Sequence, residues 1–287
     1  MISGGNTTVY VANMDAAIQF YTTKLGFALT NRFGNQWATL DVGASYWTEG
    51  SAGLTIGLHP VSARHPAPGT AGGIGFGFET YMPIEQVVAV LAERGVKVTS
   101  EIIRYEGGNC VSLDVADGLA TFINEFPPDM VPDSDLGAGA DREPPSSPAL
   151  VSGGQAIVYV SNMDAGVRFY SEKLGLKLTN RFDDKYATVE AGNLLLAIHP
   201  KTPRTPDPGK KGSVALGLQV DEPMERVVSR LTERGVRMSN ESAPPDSGSR
   251  VEFEDEDGNP IYLWEPRAAS ALRASAPRAS SRAAASG

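Results

Sequence analysis

The chain has 287 residues, with 34 acidic against 25 basic side chains and a formal net charge of −9. That length exceeds one average domain and suits two, and 41% hydrophobic with 21% charged residues is the balance of a globular chain. The acidity argues against a phosphate backbone as partner. No apolar run nears the roughly 20 residues of a membrane helix, and one cysteine, Cys110, excludes an intrachain disulfide or a Cys-rich zinc site.

Taken in chain order, Thr7–Ala12 alternates like a strand. Asp15–Leu25 is helical, with Ala17, Phe20, Tyr21 and Leu25 on one face, Asp15 as N-cap and Gly26 as the stop. Strands are expected at Ala28–Phe33, Trp37–Val42 and Leu54–His59. The order then recurs. Ile74–Glu79 reads as a strand and Pro83–Arg94 as a helix opened by Pro83 and closed by Gly95. Strands follow near Val96–Ile103, Cys110–Val115 and Ala120–Glu125. Each such unit is a βαβββ module.

The whole then repeats. Residues 9–33 read VYVANMDAAIQFYTTKLGFALTNRF, and residues 158–182 read VYVSNMDAGVRFYSEKLGLKLTNRF. Later, His59-Pro60 aligns with His199-Pro200 and Asp117-Gly118 with Asp257-Gly258, once an extra stretch near Ala44–Ala52 in the first copy is allowed for. The expected organisation is a first domain at 1–126, an exposed Pro/Gly/Ser/Asp-rich linker at 127–154, a second domain at 155–266 and a disordered Ala/Ser/Arg tail at 267–287. The tail holds four arginines and no acid. A long linker favours pairing of the modules in order, first with second and third with fourth. Met1–Thr8 has neither a basic region nor an apolar core of a secretory signal, so the cytoplasm is the expected location.

Strand period two sorts the side chains. Val9, Val11, Leu54, Ile56 and Leu58 belong under the helices. Asn6, Thr8, Tyr10, Thr55, Gly57 and His59 face away, as do Gln155, Ile157, Tyr159, Leu195, Ala197 and His199 in the second copy. This less apolar face has the composition of a concave sheet surface that takes a ligand.

The paired modules, the string V-x-N-M-D-x-x-x-x-F-Y-x-x-x-L-G-x-x-L, the mid-unit L-x-x-R-G-V and the late D-G-N-P-I-Y-L-W-E-P resemble the vicinal oxygen chelate superfamily. That group includes glyoxalase I, extradiol dioxygenases, fosfomycin-resistance transferases and bleomycin-resistance binding proteins. The resemblance spans about residues 6–126 and 155–266. It implies an α+β fold: a tandem repeat of paired βαβββ modules forming two curved, cup-like mixed sheets with helices on the convex face.

Enzymes of that superfamily hold a divalent metal on His, Glu or Gln from four strands. The corresponding positions here are Asn6, Gly57, Gly75 and Phe122 in the first copy, and Gln155, Ala197, Ala215 and Tyr262 in the second. Glycine, alanine and phenylalanine bring no lone pair, and one amide per copy does not hold a divalent ion against water. No metal and no cofactor are therefore expected.

Other residues take on weight as ligand contacts. His59 and His199 read either as strand ends bonded to a loop or as polar anchors. Arg32 and Arg181 read either as partners of Asp41 and Glu190 or as charges on a cup floor. Tyr10, Trp37 and Phe122 are expected to line the first cup, with Tyr46 and Trp47 over its mouth. Tyr159, Tyr186, Tyr262 and Trp264 are expected to line the second, together with Gln155, Glu252 and Glu254. These acids suit a flat cationic aromatic. The expected function is binding of a small organic molecule, aromatic or cationic, by a monomer or homodimer, with no nucleic acid or membrane partner. A lyase or oxygenase with an unusual site is the alternative, and a regulatory module acting through linker and tail is the third reading.

Overall fold

The computed structural model describes residues 1–48, 52–63, 65–105, 108–126, 150–239 and 250–266. Module 1 comprises β1 (Ile2–Val11), α1 (Met14–Gln19), β2 (Ala28–Phe33), β3 (Trp37–Ala44) and β4 (Gly53–Pro60). Module 2 comprises β5 (Ile74–Thr80), α2 (Ile84–Glu93), β6 (Ile103–Tyr105), β7 (Gly108–Asp114) and β8 (Ala120–Glu125). Module 3 comprises β9 (Gly153–Val160), α3 (Met163–Arg168), β10 (Lys177–Phe182), β11 (Tyr186–Ala191) and β12 (Leu194–Pro200). Module 4 comprises β13 (Val214–Val220), α4 (Met224–Glu233), β14 (Arg250–Glu254) and β15 (Pro260–Trp264).

The helix starts are set by asparagine, not by the expected Asp15. The Asn13 side chain accepts from the Ala16 N–H at 3.0 Å, and Asn162 repeats this with Ala165 at 2.9 Å. Asp15 lies within the first turn, where its charge suits the positive helix end. Both helices widen into a π turn, at Phe20–Leu25 and Phe169–Lys173, and the first stops at Gly26 with φ 86°, a conformation that favours glycine. Pro83 opens α2 as expected, at its N-cap. The strand expected near Val96–Ile103 is shorter. Val98 makes only an isolated bridge to Leu113, and β6 begins at Ile103.

The strand ladders overturn in-order pairing. Strand β1 runs antiparallel to β13, with Asn6 opposite Gly217 and Thr8 opposite Ala215. Strand β5 runs antiparallel to β9, with Gly77 opposite Gln155. Module 1 therefore pairs with module 4, and module 2 with module 3. Among the described residues no strand of module 1 pairs with one of module 2, and none of module 3 with one of module 4. The two halves meet where β4 touches β12, and one sheet of fifteen described strands results.

The face assignment from strand period stands. Val9, Val11, Leu54, Ile56 and Leu58 join the main core with Ala17, Tyr21, Val87 and Leu91 of the helical segments. Two smaller clusters lie apart from it. One is Tyr10, Ala215 and Tyr262 with Trp264; the other is Ile157, Tyr159 and Ala197 with Phe122 and Tyr186. They mark the concave faces of the 1/4 and 2/3 sheets. The linker ends earlier than expected, because Leu150 and Val151 are buried and Gly153 already belongs to β9. Residues 127–149 and the tail 267–287 lie outside the described residues. No described helix is long and apolar enough to cross a membrane.

Candidate functional site

The 1/4 cup is built from β1, β3 and β4 of module 1 and β13, β14 and β15 of module 4. Thr8 and Tyr10 on β1 face Gly57 and His59 on β4 in parallel register. Trp37 on β3 lies across Gly57, where a Cβ would meet its ring at 2.4 Å, and its Nε1–H donates to Thr39 Oγ1 at 2.9 Å. Tyr262 on β15 covers Gly217 in the same way. Its hydroxyl is 2.6 Å from Thr8 Oγ1 and donates to Asn6 Oδ1 at 3.2 Å. Burial pushes the Tyr262 phenol up to about 12, so it stays protonated at neutral pH. His59 Nδ1 lies 2.7 Å from the Pro60 carbonyl, its hydrogen-bond acceptor. Burial draws the His59 pKa below its usual value, favouring a neutral ring with Nε2 as an acceptor.

The charged wall is on β14. The Arg250 guanidinium lies 3.9 Å over the Tyr262 ring and 2.9 Å from Glu252. Burial works against its charge, but the nearby phenols of Tyr10 and Tyr262 and the Glu252 carboxylate hold its pKa above the usual value. Burial likewise raises the Tyr10 phenol, and Arg250 offsets part of that. Opposite Arg250 in the ladder is Trp264. His65, from the loop after β4, stacks on Tyr10 with ring centroids 3.7 Å apart. A cavity of about 970 Å³ borders this wall; Tyr10, His65, Arg250, Glu252 and Tyr262 line it on the concave side, and Phe169, Lys173, Met238 and Phe253 line it beyond β14.

The 2/3 cup is filled by its own side chains. Tyr186 donates to Gln155 Oε1 at 2.5 Å. Phe122, Tyr159 and Tyr186 pack together with Ile157 and Ala197, and Tyr159 meets His199 edge to face at 5.8 Å. His199 repeats the bond of His59, with Nδ1 2.7 Å from the Pro200 carbonyl, and burial lowers its pKa too. Trp47 closes over Tyr186 at 5.6 Å and Phe182 at 5.7 Å. The insertion thus covers the 2/3 cup and not the module-1 cup it was expected to cover, because crosswise pairing brings β4 beside β12. Glu79, only 2% exposed, anchors this lid: it accepts from Ser45 Oγ at 2.6 Å and from the Tyr46 N–H at 2.7 Å. Burial raises its pKa to about 7, against the two hydrogen bonds.

The sequence-derived set is therefore regrouped. Asn6, Tyr10, Trp37, His59, Glu252, Tyr262 and Trp264 share the 1/4 cup. Phe122, Gln155, Tyr159, Tyr186 and His199 share the 2/3 cup. Arg32 and Arg181 belong to neither. Arg32 pairs with Asp15 at 2.6 Å and Arg181 with Asp164, each at the start of the module's helix and not with Asp41 or Glu190. Arg32→Ala and Arg181→Ala are expected to leave the affinity of a cup ligand unchanged; a loss in a titration would return these side chains to the site. Glu254 is half exposed and lies 3.4 Å from Lys211. Asp255 shapes the turn before β15, accepting from Tyr170 and Asn259. His65 and Glu79 escaped the sequence reading. His65 is in an aperiodic loop, but Glu79 had a signal, a carboxylate in phase with Gly75 and Gly77 on the concave side.

The residues at the inherited metal positions do not fit a divalent ion. Crosswise pairing places Asn6, Gly57, Ala215 and Tyr262 in one cup, and Gly75, Phe122, Gln155 and Ala197 in the other. In the first, the Asn6 oxygen is already engaged by Thr8 and Tyr262, and the Tyr262 ring takes the space above Gly217. Among the described residues no three of His, Cys, Asp and Glu come together to hold a metal.

Two comparisons agree with this fold. Glyoxalase I of Zea mays superposes with a TM-score of 0.60 at 18% identity, covering 93% of this chain and 93% of that one. A Bacillus subtilis protein provisionally called a dioxygenase gives 0.55 at 15% identity, covering 93% and 86%. A search of curated protein sequences gives no match. The family model for the Glyoxalase/Bleomycin resistance protein/Dioxygenase superfamily matches residues 5–119 and 154–263. With more than half of its residues matched, and with the paired βαβββ architecture, the chain belongs to that superfamily.

Proposed function

We propose that the protein binds a small organic molecule, without a metal, in the cup formed by modules 1 and 4. The observation that carries this reading is the contrast between the two cups. The 2/3 cup is plugged by Trp47, Tyr186 and Phe122, whereas in the 1/4 cup Tyr10, Arg250 and Tyr262 line a cavity of about 970 Å³. Concave sites with aromatic walls and a few polar groups are the usual form of small-molecule sites. The inherited metal positions offer one engaged amide and one protonated phenol, a donor set too weak for a Lewis acid.

The pairing of charges revises the ligand class suggested by the acids alone. Glu252 is paired with Arg250 and Glu254 with Lys211, so neither carboxylate is waiting for a cation. Elemental analysis of the purified protein is expected to find no stoichiometric Ni, Zn, Fe or Mn. About one tightly held ion per cup would overturn the metal-free reading and favour a lyase or oxygenase. Native mass spectrometry before and after denaturation is expected to show a small organic species released from the folded chain.

A further inference from the structure

From three features of the 1/4 cup we infer that its ligand is a planar aromatic bearing an anionic or carbonyl oxygen on the ring. This deepens the proposed binding function and rests on it.

The first feature is His65. Its imidazole lies on the Tyr10 ring at 3.7 Å and 18° between planes, while His59 meets Tyr10 edge-on at 5.6 Å. Tyr10 is thus a stacking platform already used by a flat ring from a loop of the same chain. A ligand ring takes the place of that imidazole on Tyr10 like for like. Offset stacking of this kind favours flat rings over bulky aliphatic groups.

The second feature is a pair of donors without acceptors. Arg250 Nε and Trp264 Nε1 are both buried and have no hydrogen-bond partner. They stand opposite each other on β14 and β15, on the face that carries Tyr262. Buried donors without partners are few in native structures, and two at one site call for an acceptor. A cationic head group has none to give, whereas a carboxylate, phenolate or quinone oxygen accepts from both.

The third feature is the depth of the charges. The Arg250 side chain is 21% exposed and its partner Glu252 is 44% exposed. The inner charge of the wall is therefore positive, and the carboxylate lies nearer solvent. The 2/3 cup has Cys110, Ser112 and Asn124 at the positions of Arg250, Glu252 and Trp264. At these positions it has neither a cation nor an indole, so the pair of unpartnered donors is confined to the 1/4 cup.

Calorimetric titration of the full chain with 2-naphthoate, 2-acetylnaphthalene and 2-naphthylmethylammonium tests the inference. The ring is the same and the substituent changes from anion to neutral acceptor to cation. The naphthoate is expected to bind at least about 10-fold tighter than the ammonium, the effect of hydrogen bonds to a charged group. Trp264→Phe keeps a ring and removes the N–H; it is expected to weaken naphthoate about 10-fold with its thermal melt unchanged. His65→Ala removes the competing ring and is expected to tighten both naphthoate and acetylnaphthalene. Equal or tighter binding of the ammonium, or naphthoate affinity untouched by Trp264→Phe, overturns the ligand class and leaves cup binding standing. If none of the three binds either the natural chain or the His65→Ala variant, the binding function itself falls.

Discussion

Residues 1–126 and 150–287, produced separately, are expected to be unstable or self-associated and to recover a folded state as a 1:1 complex when mixed. The reason is the pairing of modules across the halves. In the first half alone, β1 loses its ladder to β13 and β5 loses its ladder to β9, so two central edges are left bare. Bare, long edges pair with whatever strand is near. The polar face of each cup also loses one wall, which exposes Tyr10 and Tyr262 in one and Phe122 and Tyr159 in the other. Size-exclusion chromatography with light scattering checks this, together with denaturant unfolding of each piece and of the mixture. A monomeric first half that unfolds cooperatively, and gains nothing from the second, would contradict the crosswise architecture.

Glu79→Gln is expected to stabilise the protein above neutral pH and to flatten its pH dependence. Glu79 has a folded pKa of about 7 against an ordinary value of 4.5, and burial is the cause. Between those two values the folded chain holds a proton that the unfolded chain has lost. Stability therefore falls as pH rises from 4.5 towards 7, by about 3 kcal/mol if the shift is taken at face value. Above 7 both states are ionised and the loss is complete. Glutamine fits the same contacts, since its oxygen accepts from the Tyr46 N–H and its amide donates to Ser45 Oγ. Urea unfolding of both proteins at pH 5 and pH 8.5 measures the effect. The natural chain should lose stability over that interval, and the variant should not. Equal pH dependence in the two would show that Glu79 titrates normally and that the Ser45–Trp47 lid is held by its aromatic contacts alone.

Local order was legible in the residues themselves. The tandem copies, the four modules, most strand limits and the inward phase of Val9, Val11, Leu54, Ile56 and Leu58 follow from periodicity, because a strand's faces alternate whatever lies beyond it. The concave phase of Tyr10, His59, Tyr159 and His199 follows from the same rule. Partnership between modules did not follow. Modules 1 and 3 present nearly the same β1-type edge, and modules 2 and 4 the same β5-type edge, so each edge matches two others in pattern. The length of the linker, which suggested in-order pairing, says how far the halves can separate and not which edges meet. Only the tertiary structure decides that β1 lies against β13 and β5 against β9. From that one decision follow the regrouping of Tyr262 and Trp264 beside Tyr10, the closure of Trp47 over Tyr186, and the meeting of Arg250 with Tyr10 in one cup. Arg32 and Arg181 show the same limit at short range: strand phase put them on a face, but the helix-start carboxylates Asp15 and Asp164, 17 residues away in the chain, drew them to the surface. Sequence periodicity sets the direction of a side chain relative to its own strand, whereas the chemistry of a cup depends on which strands, distant in sequence, complete its wall.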